Sequence, residues 1–408
     1  MKLDSAQKAW VAYDMGNAAY ALIVRTVFAA ILFKYCANDV WGKENTTAYW
    51  GYVCSTAGIA AGIVSISLGF FADKFHCKKQ LFAAFVLGGV LSTAAFVFMQ
   101  QGMAWGVLLL SFISLGCYMS ANSFYDSLLL SVAPPEIRDR LSSLAYALGY
   151  VGGVIPFVIC LALTFVIKDQ IAAIKYAFII AAVWWLVLTL PALYLIRETR
   201  KERDLSLNFI SNFKSLLKNK NILLFLIAYF LYIDGVGTIY TMATPIADDI
   251  GITTPQLLAV ILGLQFLAFP CTLLYGKLSS HYPPRNLVLA AIGIYFLISV
   301  LALLLSMPAL HGYRLHIFIV LAVLIGTSQG GIQSLSRSLF SRIVPSAHAA
   351  EFFGFYNLFG KFTTIVGPLL IGIVTACGGK PELGIAFLAI PFVLGGFLLT
   401  KVDFSPVE

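Results

Sequence analysis

Charge is what this sequence has least of. Only 11% of its 408 residues are Asp, Glu, Lys or Arg, against about a quarter in soluble domains, so a water-soluble globular protein is excluded. Histidine is scarce as well. His76, His281, His311, His316 and His348 all fall in predicted loops or at the ends of apolar runs, which argues against an imidazole proton relay in the interior. The seven cysteines (Cys36, Cys54, Cys77, Cys117, Cys160, Cys271 and Cys377) are scattered and never spaced C-x-x-C, so neither a disulfide framework nor a zinc site follows. No phosphate-cradling G-x-x-x-x-G-K-[ST] loop is present, which removes an ATP-driven pump. Gly326-Thr-Ser328-Gln-Gly330 fits G-x-S-x-G, but it lies inside an apolar run rather than at a strand–turn–helix elbow, and an enzyme is not expected. A cleaved leader is not expected either: the first apolar run is broken by Asp14, Asn17 and Arg25 and continues too far, so it reads as a retained span.

What remains is apolar. The chain is 60% hydrophobic with a mean hydropathy of +0.88. Runs long enough to cross a bilayer fall near 8–34, 47–72, 80–100, 105–133, 141–167 and 173–196, then near 222–246, 255–278, 286–307, 315–342, 352–377 and 383–401. The expected fold is an all-α membrane protein of about 12 transmembrane helices in two pseudo-symmetric six-helix halves. Those halves are 1–196 and 222–408, joined by a basic linker at 197–221. The net charge of +8 sits in short loops, which is the pattern of cytoplasmic membrane loops rather than of a nucleic-acid surface. With the N-terminus inside, inside segments hold about 18 Lys/Arg against about 6 outside, so both termini are expected in the cytoplasm. Asn45-Thr46-Thr47 is a glycosylation sequon that matters only in a eukaryotic secretory pathway.

The halves repeat one another. Asp14 precedes Tyr20 as Asp234 precedes Tyr240, and Asn122, Asp126, Pro134 and Gly149 match Gln333, Arg337, Pro345 and Gly360 at one constant offset. Six charges lie within spans: Asp14, Arg25, Asp126, Asp234, Arg337 and Lys361. Each costs about 2.5–3.5 kcal/mol at the bilayer centre on insertion scales, and three of each sign are expected to compensate one another. Polar residues also align as helical faces: Asp14, Asn17, Ala21 and Arg25; Asn122 and Asp126; Asp234, Thr238, Thr241 and Pro245; Gln329, Gln333 and Arg337; Asn357 and Lys361. These faces predict a shared cavity lined by spans one, four, seven and ten. Asp234 and Lys361 lie deepest and are the candidates for cargo or proton contact, with Arg25, Gln333, Asn122, Thr238 and Asn17 beside them. Asp14, Asp126 and Arg337 are the candidates for gating or pairing between halves. Gly58 and Gly62 form a G-x-x-x-G that would suit a close helix crossing.

The loop after span two, Gly69-Phe-Phe-Ala-Asp73-Lys74-Phe-His76-Cys-Lys78-Lys79, resembles the G-x-x-x-D-[RK]-x-x-x-[RK]-[RK] loop of the major facilitator superfamily. A later glycine of that pattern is replaced by His76, and the second-half copy, Gly276-Lys-Leu-Ser-Ser-His281, lacks the acid. Trp10-Val-Ala-Tyr-Asp14-Met-Gly-Asn17, Tyr146-Ala-Leu-Gly-Tyr-Val-Gly-Gly153, Ala228-Tyr-Phe-Leu-Tyr-Ile-Asp234-Gly-Val-Gly237, Gly330-Gly-Ile-Gln333-Ser-Leu-Ser-Arg337 and Glu351-Phe-Phe-Gly-Phe-Tyr-Asn-Leu-Phe-Gly-Lys361 resemble, more narrowly, the vacuole-effluxer family of autophagy-related permeases and their bacterial relatives. The resemblance implies a secondary transporter working by alternating access, in which Asp73, Lys74, Lys78 and Lys79 make and break contacts between the halves. It implies a small polar solute as cargo, an amino acid first and a sugar, nucleoside or osmolyte next; a lipid scramblase would need the same bundle opened sideways. No cofactor is expected, and a proton is the candidate coupling ion. The expected partners are the solute and the bilayer, the expected state a monomer, and the expected location a bacterial cytoplasmic membrane.

Overall fold

In lipid a backbone can satisfy its own hydrogen bonds only as helix or closed barrel, and this chain chooses helix. The computed structural model describes residues 3–198, 219–249, 251–252, 254–362 and 381–404, and the side chains at 38–48, 51, 241–246, 248–249, 254–255, 258, 306, 308, 347, 361–362 and 381–383 lie outside that description. All regular structure among the described residues is helical. Most of the expected linker falls outside it.

Helix α1 (Ser5–Ala19) opens with a capping box, Gln7 N donating to Asp4 Oδ1 at 2.7 Å and Asp4 N to Gln7 Oε1 at 3.2 Å. A π-helical segment, Tyr20–Phe28, follows it, then α2 (Ala29–Phe75). Helical bonding runs through all of α2, yet the rings of Phe33 and Trp50 stack 5.6 Å apart. A straight helix would separate them by about 25 Å, so the chain doubles back and gives two spans, Ser5–Ala37 and Tyr52–Phe75. The remaining helices are α3 (Lys78–Ala95), α4 (Ala104–Val132), α5 (Arg138–Val166), α6 (Gln170–Leu195), α7 (Lys220–Asp249), α8 (Thr254–Leu278), α9 (Pro284–Leu301), α10 (Arg314–Ile343), α11 (Ala349–Phe362), α12 (Pro381–Phe387) and α13 (Ala389–Thr400). Among the described residues ten spans are long and apolar enough to cross a membrane, and Gly384–Thr400 is a shorter apolar helix. The expected span at 352–377 is described only as far as Phe362.

Two compact units result. The first takes Met1–Pro134, Leu148–Leu205 and Ser346–Leu358; the second takes Pro135–Ala147, Ser206–Pro345 and Phe359–Glu408. Each unit therefore holds the first turns of a helix, α5 or α11, that continues in the other. Inside the first unit α1 packs on α6, and α2 and α3 both pack on α4; inside the second α7 packs on α13, and α8 and α9 both pack on α10. These are the same pairings one repeat apart.

Within the first unit the crossing of α2 and α11 is unusually close. A Cβ on Gly69 would meet the Ala350 carbonyl oxygen at 2.7 Å, one on Gly354 would meet Ile66 Cα at 3.0 Å, and one on Gly62 would meet Leu358 Cδ1 at 2.1 Å. The expected G-x-x-x-G contact thus goes through Gly62. In the second unit Gly276, the partner of Gly69 in the repeat, meets Ser143 Cβ at 2.7 Å in the same sense. Small residues let backbones approach where no hydrophobic force drives helices together.

Helix α2 ends on His76, whose φ of 52° and ψ of 45° are left-handed. This is where the resembled loop carries glycine, and the conformation is the reason: a left-handed cap costs an L-residue roughly 1–2 kcal/mol. His76→Gly should raise the unfolding temperature, by a net of about 0.5–1 kcal/mol after the greater unfolded-state entropy of glycine. An unchanged or lower midpoint in a thermal scan of the purified protein would contradict that account.

Candidate functional site

Polar side chains in the first unit collect between α1 and α4. Trp10 Nε1 donates to the Tyr125 carbonyl at 3.2 Å, Tyr125 Oη donates back to the Trp10 carbonyl at 3.1 Å, and the two rings stack at 4.6 Å. Gln7 Nε2 reaches the Val132 carbonyl at 3.2 Å, and Tyr13 Oη donates to Asn122 Oδ1 at 3.1 Å. Further along, the Tyr20 and Ser114 hydroxyls lie 2.5 Å apart and Tyr20 stacks on Tyr118 at 4.5 Å. Asp14, Asn17 and Asp126 are all buried beside this ladder. Among the described residues Asn17 Oδ1 is buried without a hydrogen-bond partner, an unmet acceptor of the kind a ligand donor would fill.

The polar face expected along Asp14, Asn17, Ala21 and Arg25 does not hold together. The π-helical segment begins at Tyr20, and its i→i+5 bonding puts more residues into each turn than an α-helix does. Arg25 is consequently carried round the axis. It is exposed, whereas Asp14 and Asn17 are buried. The compensation expected for the six intramembrane charges is also incomplete, since no carboxylate among the described residues lies in salt-bridge range of Arg25.

Near the ends of the spans each unit closes a junction across its borrowed helix start. In the first, Asp73 is the receiver. Its carboxylate pairs with Lys78 Nζ at 2.6 Å and accepts from the backbone N–H groups of Ala350 at 3.2 Å and Glu351 at 2.9 Å. Those N–H groups belong to the first turn of α11, so Asp73 caps a helix nearly three hundred positions away in sequence and sits at the positive end of its dipole. Lys79 reaches elsewhere: its backbone N–H donates to Glu198 at 2.6 Å and its Nζ to the Ile196 carbonyl at 3.1 Å, tying α3 to the chain after α6. Lys74 is half-buried. One level deeper, Asn357 Nδ2 donates to Asp126 Oδ2 at 2.9 Å.

In the second unit the junction uses other chemistry at equivalent positions. Asp139, in the first turn of α5, accepts from Ser338 Oγ at 2.6 Å and pairs with Arg342, while Arg138 Nη1 donates to the Ser341 carbonyl at 2.9 Å. Arg337 is buried; its Nε donates to Ser142 Oγ at 2.9 Å, its Nη2 to the Ser142 carbonyl at 3.2 Å, and its guanidinium lies 4.4 Å from the centre of the Tyr146 ring. Ser142 Oγ in turn donates to the Ser334 carbonyl at 2.7 Å. The offset that matches Asp126 to Arg337 also matches Tyr146 to Asn357. The repeat has therefore kept one contact, from the fourth span of a half to the fifth of the other, and changed it from carboxylate–amide to guanidinium–aromatic.

Deeper in the second unit, Asp234 and Thr238 are buried on α7, Thr238 Oγ1 has no hydrogen-bond partner among the described residues, and Gln333 is half-buried on α10. Tyr232 and Ser336 hydroxyls join the two helices at 2.7 Å. The side chain of Lys361 lies outside the described residues. Asp139 and Ser142 were not singled out by sequence, and Tyr146 and Glu351 entered only as the opening residues of resembled motifs, with no role assigned. Arg138 and Arg140 read as loop charge and hid the acid between them, although the serine repeat Ser334, Ser338 and Ser341 on one face of α10 could have signalled a polar interface.

With the geometry in hand, the family profile described as "Vacuole effluxer Atg22 like" matches residues 36–406. The chain belongs to that family. Among its relatives, the MFS-type transporter YxiO of Bacillus subtilis (strain 168) is 36% identical over 97% of this chain and 94% of its own length, and autophagy-related protein 22 of Coccidioides immitis is 24% identical over 94% of this chain and 77% of its own. Solved structures share the fold: the proton:xylose symporter XylE at a TM-score of 0.73 and 13% identity, covering 97% of this chain and 95% of that one, and a bacterial homologue of ferroportin in an outward-facing state at 0.73 and 14%, covering 97% and 98%. The protein is a multi-pass membrane protein of major facilitator architecture, similar to transporters.

Truncating Asp139 to Ala should cost about 1.5–3 kcal/mol, because hydrogen bonds to charged groups are worth that much, and leaves Arg342 without its acid. Ser280→Asp, restoring the acid missing from the second loop, should not replace it. Thermal unfolding of both variants and the double variant checks the assignment.

Proposed function

We propose that this protein is a secondary transporter that carries a small polar solute across a bacterial cytoplasmic membrane by alternating access. The observation that carries the reading is the duplicated junction of Asp73 with the start of α11 and of Asp139 with Arg342 and Ser338 of α10. Such bonds sit at helix ends, are few, and are worth about 1.5–3 kcal/mol each, so they can be exchanged without unfolding a span. The buried, duplicated polar faces of α1, α4, α7 and α10 supply somewhere for cargo to bind. Relatives described as transporters or vacuole effluxers support the same reading.

An amino acid is the first cargo to test. Asp234 would face its ammonium group, Arg25 or Lys361 its carboxylate, and Gln333 and Asn122 would add hydrogen bonds. Energy would come from the solute's own gradient or from a coupled proton. The excess of Lys and Arg in the loops on the N-terminal side supports a cytoplasmic position for both termini.

Proteoliposomes loaded with an amino-acid mixture should show counterflow of at least one labelled amino acid. Asp234→Asn should lower that flux at both limiting and saturating solute; full flux in the variant would remove Asp234 from the mechanism. Asp73→Asn should loosen the first junction. With Leu358→Cys as the reporter, against Gly62 in α2, alkylation by an impermeant maleimide from the Asp73 side should quicken several-fold, and an unchanged rate would mean that Asp73 does not hold the junction shut.

A further inference from the structure

Of the five intramembrane charges whose side chains are described, four are buried and one is not. Asp14, Asp126, Asp234 and Arg337 are buried, and Arg337 is bonded to Ser142 and stacked on Tyr146. Arg25 is exposed and, among the described residues, has no ion pair and no hydrogen bond. Its charge bears on three groups, Tyr20, Tyr118 and Cys54. All three belong to the first unit: Tyr20 opens the π-helical segment itself, Tyr118 projects from α4 and Cys54 from α2.

The segment that presents Arg25 is irregular. Nine residues, Tyr20–Phe28, are π-helical, a form that is rare, is seldom longer than one turn and recurs at functional sites. Leu22, Ile23, Val24 and Phe28 of that segment are buried while Arg25 and Thr26 are exposed. Thr26 Oγ1 satisfies itself on the Ala21 carbonyl at 2.8 Å. Among the described residues the Arg25 guanidinium has no protein partner. Tyr118 is itself tied to the ladder below: it stacks on Tyr20, ring centroids 4.5 Å apart.

Resting on the transporter reading above, we propose that Arg25 is the oxyanion-binding point of the transport site, with Tyr118 beside it, and that the cargo bears a carboxylate. A guanidinium presents a planar fork of donors that fits a carboxylate with two parallel bonds, and a cation with no partner among the described residues matches a single negative charge. Phosphate, carrying more charge, would call for further cations, and neither Tyr118, Tyr20 nor Cys54 supplies one. An exposed cation within a span is costly unless it faces water or a counter-ion, and the cargo would be that counter-ion.

The full-length protein in nanodiscs can be titrated with acetate, lactate, alanine and glutamine, with the matched amides acetamide, lactamide, alaninamide and glutamine amide, and with inorganic phosphate, reading thermal unfolding. At least one carboxylate should raise the midpoint while its amide does not. Arg25→Gln should weaken that carboxylate about tenfold or more; Arg25→Lys, which keeps the charge but loses the fork, should retain part of the affinity and serves if Arg25→Gln does not fold. Tyr118→Phe should weaken it less than Arg25→Gln. The proposal is overturned if no carboxylate in the set protects, if an amide protects as well as its acid, if phosphate protects better than every carboxylate, or if Arg25→Gln (or, where that fails to fold, Arg25→Lys) binds as the parent does. Carboxylate binding without flux in proteoliposomes would remove the transporter reading and keep the site. Flux of uncharged solutes unaffected by Arg25→Gln would do the reverse.

Discussion

Hydrocarbon offers no water to a polar atom, and that constraint shapes everything else here. A buried carboxylate or guanidinium must be answered by protein, by a path open to water, or by cargo. Most of the described charges are answered by protein. Asp73 is answered by Lys78 and by two backbone N–H groups, Asp126 by Asn357, Asp139 by Ser338 and Arg342, and Arg337 by Ser142 and Tyr146. Apart from Lys78, at the start of α3, all of these partners come from the N-terminal parts of α5 or α11 or from α10, against which the start of α5 lies. The bonds that make the interior affordable are thus concentrated where two helices begin.

That concentration explains why each unit includes a piece of the other half's sequence. The starts of α5 and α11 sit against glycine-lined crossings, Gly276 with Ser143 and Gly69 with Ala350, and a side chain at either glycine would force the helices apart. Close backbones bring the helix-end N–H groups within reach of Asp73. In the second unit the corresponding loop position is Ser280, and the acid has moved to the borrowed helix itself, as Asp139. The chemistry differs but the location is the same. Duplication kept the place where the bond must form and left the kind of bond free to drift.

Arg25 obeys the same constraint by a different route. A change in helical register, not a partner residue, decides its surroundings. Had α1 continued as an α-helix through Phe28, Arg25 would have stayed close to the face of Asp14 and joined the buried ladder. The π-helical segment leaves it exposed, with no partner among the described residues.

The sequence by itself determined that the chain lives in a bilayer, because sparse charge and runs of twenty or more apolar residues admit no other solvent. It also determined the repeat, since Asn122, Asp126, Pro134 and Gly149 find their counterparts at one offset, and it marked Asp73 and the glycine-for-histidine exchange at position 76 through the loop pattern. These are local or periodic features and survive in one dimension. Only the tertiary structure decided which charges meet. Asp126 and Arg337 correspond by sequence, yet one binds Asn357 and the other Ser142 and Tyr146, because partners are fixed by helix crossings far apart in the chain. It alone decided that Asp139, hidden between two arginines, holds the second junction, and that His76 is left-handed. It also decided the fate of Arg25. Periodicity assumes a constant number of residues per turn, and a π-helical segment changes that number without leaving any sign in the sequence.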